Sequence, residues 1–184
     1  GEGNLVTPNG RADYQKYLGA QLGVAQGAGQ EQPSANTALL ELFGETLISK
    51  VGEVSTKDVV VGKKHVMIYF SAHWCPPCRG FTPQLAKAYT GSSMAGKDAV
   101  VIFVSSDRDQ AGFDDYYKDM PWHALPFSKR DLKEKLSQKY QVRGIPTLVV
   151  LDGEGNLVTT NGRAEYQKYL GVQGAPEKEC CTIS

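Results

Sequence analysis

Residues 65–72, HVMIYFSA, form an apolar run without polar alternation, and such a run predicts a strand buried on both faces of a sheet. Two similar runs follow, AVVIFVSSD at 99–107 and TLVVLD at 147–152. Segments with helical spacing lie between the three runs. Strands that alternate with helices predict an α/β fold with a central, mostly parallel sheet and helices on both of its faces.

The predicted domain is completed by elements at its two ends. ALLELFG at 38–44 has helical spacing and ends on a glycine, a common C-cap. After the third run, GEGN predicts a turn, LVTTNG an edge strand and RAEYQKYLG, at 163–171, a closing helix. The edge strand would add an antiparallel hairpin to one side of the sheet.

Composition and charge argue against two classes of protein. Lys and Arg total 20, and Asp and Glu also total 20, so the chain lacks the basic surplus that nucleic-acid binding needs. No run of eighteen apolar residues predicts a transmembrane helix, and no signal peptide is recognised at the start. We therefore expect a cytoplasmic protein.

A long repeat links the two ends of the chain. GEGNLVTPNGRADYQKYLG at residues 1–19 recurs at 153–171, where only Thr160 replaces Pro8 and Glu165 replaces Asp13. The offset of 152 residues is that of a domain, so we interpret residues 1–19 as the closing segment of a preceding, related domain. A local or artificial duplication is the alternative.

The repeat and the composition around it predict four segments. Residues 20–37, rich in Gly, Ala, Gln and Ser, would be a flexible linker between the copy at 1–19 and a domain at 38–172, and residues 173–184 a flexible tail. The copy carries nearly the same side chains as 153–171 and would fit the same groove. Residues 153–171 have the higher effective concentration, so replacement should be rare. We rather expect a disordered arm, or an arm that adds as an extra strand to the exposed edge of its own or a neighbouring molecule.

The sequence FSAHWCPPCRGF places two cysteines directly after the first predicted strand, at the start of a helix. Open α/β sheets place their sites at this end of their strands, and a helix N-terminus favours a thiolate. Cys75 is therefore the predicted nucleophile, and Cys78 the thiol that resolves a mixed disulfide. Pro76 and Pro77 restrict the backbone and should hold the two sulfurs close together.

A metal site and a structural disulfide are the two other possible roles of the cysteine pair. A zinc site needs a second pair of ligands, but Cys180 and Cys181 are adjacent and no other CxxC or HxxxH is present, so no metal is expected. A purely structural disulfide across so short a loop would constrain little chain. A redox-active Cys75–Cys78 disulfide, with no other cofactor, is the favoured interpretation.

The candidates for substrate contact beside the cysteines are Trp74, Pro76, Pro77 and Arg79. Trp74 could pack against the helix or offer a flat platform to a substrate, and both alternatives stay open. Arg79 could stabilise a thiolate or an acidic partner, or be a plain surface cation. His73 is interpreted as a solvated loop histidine rather than an electrostatic tuner of Cys75.

RGIPT at 143–147 places a proline just before the third predicted strand. It could be an ordinary loop proline, but with the CxxC upstream we predict a cis Ile145–Pro146 bond beside the site. The backbone of Ile145 would then face an incoming substrate, which could pair with it as a short strand.

Taken together, WCPPCR, IPT, the spacing between them and MPWHALPF at 120–127 resemble the tryparedoxin and nucleoredoxin branch of the thioredoxin superfamily, over residues 38–171. YFSAHWCPPCR and VSSDR resemble nucleoredoxin more, and the single-domain length resembles tryparedoxin. The resemblance implies a thioredoxin-like fold, the roles given above for Cys75, Cys78 and Pro146, and packing of Pro121 and Trp122 near the active-site face.

The resemblance also implies a function. We expect reduction of protein disulfides, such as those of peroxidases, with a low-molecular-weight dithiol or a reductase as electron donor. A redox-regulated protein-binding module is the alternative. Thioredoxins themselves carry a buried aspartate six residues before the first cysteine, where this chain has Tyr69, so a carboxylate proton acceptor for Cys78 is in doubt.

The last four residues, CTIS, fit the C-a-a-X pattern of prenylated proteins. Cys181 would carry the prenyl group, and Cys180 could carry a palmitoyl chain that makes anchoring stable. The third hypothesis is therefore a membrane-tethered redox adaptor, and two inert thiols in a tail are the alternative.

Overall fold

The computed structural model describes residues 35–172. Its first helix, α1, spans Ala35–Phe43 and so begins ahead of the predicted start at residue 38. Gly44 follows the last helical residue, and its φ of 74° fits the predicted glycine C-cap. The predicted copy at 1–19, the linker up to residue 34 and the tail at 173–184 lie outside the described residues.

The remaining elements follow the predicted alternation of strands and helices. In chain order they are β1 Thr46–Ser49, β2 Gly52–Ser55, α2 Thr56–Val60, β3 His65–Ser71, α3 Pro76–Gly91, β4 Ala99–Ser105, α4 Gln110–Tyr117, β5 His123–Ala124, α5 Arg130–Lys139, β6 Thr147–Asp152, β7 Leu157–Thr159 and α6 Gly162–Tyr169.

The strands form one seven-stranded sheet in the order β2-β1-β5-β4-β3-β6-β7. The expected α/β fold is confirmed, but the sheet is mixed rather than mostly parallel. Only β3–β4 and β4–β5 are parallel pairs, whereas β6 runs antiparallel to β3, with Phe70 opposite Thr147. A continuous apolar run records burial on both faces but carries no information about strand direction, so the prediction failed at this point.

Helices cover both faces of the sheet, as predicted. Met67 and Tyr69 of β3 point to one face, which packs against α3, α4 and α6. Ile68 and Phe70 point to the other, which packs against α1, α2 and α5. Because the side chains of β3 alternate between two apolar layers, the strand is buried from Val66 to Ser71 and holds the residues after it at a fixed place.

Candidate active site

Cys75 and Cys78 form a disulfide at the start of α3, with their Cα atoms 5.2 Å apart. Cys75 is the N-cap of the helix, and Pro76 and Pro77 are its first residues. Prolines are well suited to this place, because their fixed φ matches the helix and the missing N–H would have no partner within it. Cys75 keeps 4% of its surface exposed and Cys78 none, so the second cysteine is fully enclosed and the first lies at the surface edge of the site.

The Ile145–Pro146 peptide bond is cis, which confirms the prediction made from RGIPT. The carbonyl oxygen of Ile145 lies 3.7 Å from Sγ of Cys75, and the Ile145 side chain packs against the small apolar cluster of Ala72, Cys75 and Cys78. The loop before β6 therefore lies directly beside the first cysteine. A substrate that approaches this sulfur would meet the backbone of Ile145.

The loop between β3 and Cys75 is fixed to the end of β4 by a buried carboxylate. Asp107 is 6% exposed and accepts hydrogen bonds from the backbone nitrogen of His73, at 2.7 Å, and from Oγ of Ser105, at 2.8 Å. Nη2 of Arg130 donates to the carbonyl of Ser105 at 2.8 Å. Burial lowers the pKa of Arg130, and the charge of Asp107 opposes that shift.

Asp107 was not among the predicted site residues, although the sequence held a signal for it. VSSD follows a buried strand, and polar residues at the carboxyl end of such a strand often belong to a site. The geometry makes Asp107 a positioning residue, since it holds the loop that carries Cys75 rather than the cysteine itself.

Trp74 combines the two alternatives left open by the sequence. Its indole is 53% exposed, so its face is open to a substrate, and its Nε1 donates to the carbonyl of Ser106 at 3.1 Å. The guanidinium of Arg108 lies 5.9 Å from the ring centre. The platform is therefore anchored at one edge and is not free to swing.

His73 and Arg79 are exposed, and both line a small cavity of about 280 Å³. The His73 ring stacks on Tyr116 at a centroid distance of 5.5 Å. His73 is therefore exposed, as predicted, but one face of its ring is in contact with the protein. Nothing in the described contacts joins Arg79 to a cysteine sulfur, and its role stays a prediction.

A network of hydroxyl groups lies behind the disulfide, on the face of β3 where thioredoxins carry an aspartate. The hydroxyls of Tyr69 and Tyr116 lie 2.8 and 2.5 Å from Oγ1 of Thr82, and Ser71 bonds to both tyrosines. Thr82 in turn donates to the carbonyl of Cys78 at 3.0 Å. Burial raises the pKa of Tyr69 well above its usual range, so this group is a neutral hydroxyl at any physiological pH.

MPWHALPF was expected to pack near the active-site face, but Trp122 lies deeper, beneath that surface. Trp122 is 2% exposed, and its ring lies edge-on to Tyr69 at 6.0 Å. Its carbonyl accepts a hydrogen bond of 2.8 Å from Tyr117. Trp122 thus supports the network from below, whereas the neighbouring Pro121 is exposed.

A cavity of about 730 Å³ opens beside the disulfide. Pro77 and the cis Pro146 form one side of it, and Phe81 and Arg163 lie further along. The Arg163 guanidinium lies 5.3 Å from the Phe81 ring centre, and its Nη1 is 3.5 Å from the carbonyl of Pro146. No sequence pattern points to Arg163, because a single arginine in a closing helix has no distinguishing neighbours.

Two further predictions concern membranes and metals. Cys180 and Cys181 lie outside the described residues, so their lipidation stays a prediction. None of the helices described between residues 35 and 172 is long and apolar enough to cross a membrane. In the same range, no three His, Cys, Asp or Glu side chains come together as a metal site would require.

Known proteins are similar to this chain in sequence and in fold. A family model described as thioredoxin-like matches residues 62–157. Nucleoredoxin of Bos taurus is 37% identical over 148 residues, which cover 80% of this chain and 34% of that protein. Tryparedoxin of Trypanosoma brucei brucei is 45% identical over 118 residues, which cover 64% of this chain and 80% of that protein.

Solved tryparedoxin structures are similar as well. Tryparedoxin II in complex with glutathionylspermidine superposes with a TM-score of 0.66 at 36% identity, and the match covers 76% of this chain and 97% of that one. This chain spans about a third of the length of nucleoredoxin. The matched residues include β3, the CxxC helix and the cis proline loop, so the chain belongs to the thioredoxin-like family and is homologous to nucleoredoxin and tryparedoxin.

Proposed function

We propose that this domain is a thiol–disulfide oxidoreductase that reduces protein disulfides through Cys75 and Cys78. The observation that carries the proposal is the place of Cys75. Cys75 is the residue of the pair that keeps some exposed surface, it caps α3, and its Sγ lies beside the carbonyl of Ile145. A nucleophilic thiol needs access, a field that favours the thiolate and a surface that aligns the substrate, and this place offers all three.

The reaction proceeds in two exchanges. In the reduced protein the Cys75 thiolate attacks one sulfur of the substrate disulfide, the substrate S–S bond breaks, and its other sulfur leaves as a thiolate that takes up a proton. The Cys78 thiol then loses its proton and attacks Sγ of Cys75. The second substrate sulfur leaves, two electrons have passed to the substrate, and the Cys75–Cys78 disulfide remains.

Substrate proteins would dock across Trp74 and the loop that carries the cis proline. An extended substrate segment can pair with the backbone of Ile145, since strand addition uses main-chain hydrogen bonds and tolerates varied side chains. Peroxidases whose disulfides must be reduced in each cycle are the proposed class of substrate, as the resemblance given by WCPPCR and IPT implies.

The electron donor would reduce the Cys75–Cys78 disulfide by the reverse pair of exchanges. The cavity beside the disulfide is large enough for a peptide-like thiol, and Arg163 supplies a positive charge at its edge. Tryparedoxin II has been crystallised with glutathionylspermidine, which is a thiol of this kind. We propose a low-molecular-weight dithiol or glutathione-type thiol with a carboxylate as the donor.

Turnover of a disulfide protein such as insulin, with a dithiol as reductant, tests the proposal. We expect turnover by the wild-type chain, none by Cys75→Ser, and undiminished turnover by Cys180→Ser/Cys181→Ser, which removes the two other thiols. A chain that binds partners equally well with and without Cys75 but shows no turnover would instead be a redox-regulated binding module.

The location of the protein is a separate proposal. Prenylation of Cys181 is proposed from the CTIS pattern. Because the net charge of zero suggests no polybasic patch as a second membrane signal, stable anchoring would also require acylation of Cys180. The intact mass of protein from its native source measures this directly. A mass equal to that of the unmodified chain would leave a cytoplasmic reductase without a tether.

A further inference from the structure

Two exposed arginines lie on the Trp74 side of the disulfide. Arg108 comes shortly after the end of β4, and its guanidinium lies 5.9 Å from the centre of the Trp74 ring. Arg79 follows Cys78 in α3 and lines the cavity of about 280 Å³ together with His73, the residue before Trp74. Two positive charges are therefore close to an indole whose face is open to solvent.

Arg108 has no carboxylate partner among the described residues. Its neighbour Asp107 is buried and accepts a hydrogen bond from the backbone nitrogen of His73. Asp109, on the other side, caps α4 by accepting a hydrogen bond of 2.8 Å from the backbone nitrogen of Gly112. Because both adjacent acids are engaged with the backbone, the guanidinium faces only the indole and the solvent within these contacts.

Arg79 shares its cavity with two acids, Asp115 and Asp119, and with Lys118. Asp115 forms an ion pair of 3.1 Å with Lys118. The charge of Asp119 acts on Lys50, whose pKa is lowered by burial and raised in part by this carboxylate. In the described part of the chain, no ion pair joins Arg79 to either acid. Both acids thus have a lysine as their cation, and Arg79 is left to bind a carboxylate from another molecule.

We propose that Trp74, Arg79 and Arg108, here named the docking surface, bind substrate proteins whose disulfide is flanked by acidic residues. The inference rests on the proposed function and adds to it the kind of substrate that is preferred. A guanidinium presents a planar fork of N–H donors that matches a carboxylate, and an exposed indole offers a large, rigid contact area. Tryptophan and arginine are also among the residues that contribute most to binding at protein interfaces.

The docking surface acts on capture of the substrate rather than on the exchange of disulfides. Trp74 directly precedes Cys75, so a substrate disulfide that reaches Cys75 brings its flanking residues to the indole and the two arginines. Opposite charges at the rim of an interface speed association, and salt weakens this effect. The larger cavity, which Arg163 lines and which is proposed for the donor, shares no lining residue with the cavity of Arg79. Substrate and donor preferences can therefore be measured separately.

Synthetic disulfide peptides that differ only in two flanking residues, Glu, Gln or Lys, test the proposal on the full chain. An uncharged dithiol at saturating concentration serves as reductant, so donor charge does not enter the comparison. At low ionic strength we expect KM to be about fivefold lower for the Glu peptide than for the Gln peptide, and highest for the Lys peptide. Arg79→Ala/Arg108→Ala should abolish this preference. The control Lys87→Ala/Lys97→Ala removes two positive charges at exposed positions and should keep it.

Equal KM for the three peptides overturns the inference, and so does an equal loss of preference in the lysine control, since net charge alone would then explain it. Binding without turnover is measured in Cys75→Ser/Cys78→Ser, where the Glu peptide should change the fluorescence of the exposed Trp74, whereas Trp122 is buried. Selective binding of the Glu peptide without turnover by the wild type would support the docking surface and overturn the proposed function. Turnover without charge preference would do the reverse.

Discussion

Asp107 accepts a hydrogen bond of 2.7 Å from the backbone nitrogen of His73, and so joins the loop before the CxxC helix to the end of the neighbouring strand. The same carboxylate accepts from Ser105, and Arg130 donates to the carbonyl of Ser105. A loop between a strand and a helix would otherwise have several conformations. The place of Cys75 therefore depends on a residue that touches neither sulfur.

The first prediction concerns this buried carboxylate. Asp107→Ala leaves the nitrogen of His73 and the hydroxyl of Ser105 without their acceptor, which should cost about 1–3 kcal/mol in the free energy of unfolding. We also expect kcat/KM for disulfide reduction to fall about tenfold, because the loop before Cys75 is no longer held and the position of Cys75 relative to the backbone of Ile145 is no longer fixed. Urea unfolding and turnover measure the two effects, and Asp58→Ala, at an exposed helical position, is the control.

Asp107→Asn separates positioning from plain stability. The amide keeps an oxygen for the nitrogen of His73, and the hydroxyl of Ser105 can rotate to accept from its NH₂ group. We expect this variant to recover most of the turnover. Equal loss in the Ala and Asn variants would contradict a positioning role and would indicate that the negative charge itself matters.

The second prediction assigns the two sulfurs. Cys78→Ser keeps the exposed nucleophile but removes the resolving thiol, so a mixed disulfide with substrate should accumulate on Cys75. Cys75→Ser should trap nothing, since Cys78 is fully buried. Non-reducing gels and mass spectrometry of the adduct identify the trapped residue. Trapping by Cys75→Ser instead would reverse the assignment made from the helix N-terminus.

Sequence patterns predicted the parts of the molecule whose cause is local. The unbroken apolar run of β3 requires burial on both faces, and the CxxC that follows it has to lie at the carboxyl end of that strand. The Ile145–Pro146 bond was predicted as cis from its place before β6 together with the CxxC upstream, and the structure confirms it. Adjacent residues determine the burial of β3 and the place of the CxxC, whereas the cis bond was predicted only by combining two distant parts of the sequence.

The parts that were not predicted depend on contacts between distant residues. The antiparallel direction of β6 depends on the path of the chain after α5, which apolar content does not encode. Asp107 acquires its role only because β4 ends beside the loop that holds His73. The sequence shows only that Tyr69 stands where thioredoxins carry an aspartate, whereas the structure places its hydroxyl in a network with Thr82 and Tyr116.

The third prediction concerns the cavity beside the disulfide. Arg163→Ala removes the positive charge at its edge, so KM for a donor thiol that carries a carboxylate should rise about tenfold, the loss expected for one charge-assisted hydrogen bond. KM for an uncharged dithiol should not change. Arg143→Ala is the matched control, because Arg143 is an exposed arginine outside this cavity. Equal effects on charged and uncharged donors would contradict a role in carboxylate binding.

The fourth prediction concerns stability in alkaline solution. Burial raises the pKa of Tyr117 and of Tyr140 to about 12, whereas an unfolded tyrosine titrates near 10. A raised pKa means that the folded state keeps its proton more tightly than the unfolded chain. The stability that these groups contribute is therefore complete below about pH 10 and is lost as the pH rises towards 12.

The two tyrosines should differ when each is replaced by phenylalanine. The Tyr117 hydroxyl donates to the carbonyls of Ile48, at 2.9 Å, and Trp122, at 2.8 Å, so Tyr117→Phe should lose about 1–3 kcal/mol at pH 8. The Tyr140 hydroxyl is buried without a hydrogen-bond partner among the described residues, so Tyr140→Phe should cost nothing at pH 8 or be slightly stabilising. Both variants should lose less stability than the wild type between pH 8 and pH 11, because each has one fewer group to ionise on unfolding. Urea unfolding of the three proteins at the two pH values measures this, and a Tyr140→Phe protein that is weaker at pH 8 would show that its hydroxyl has a partner after all.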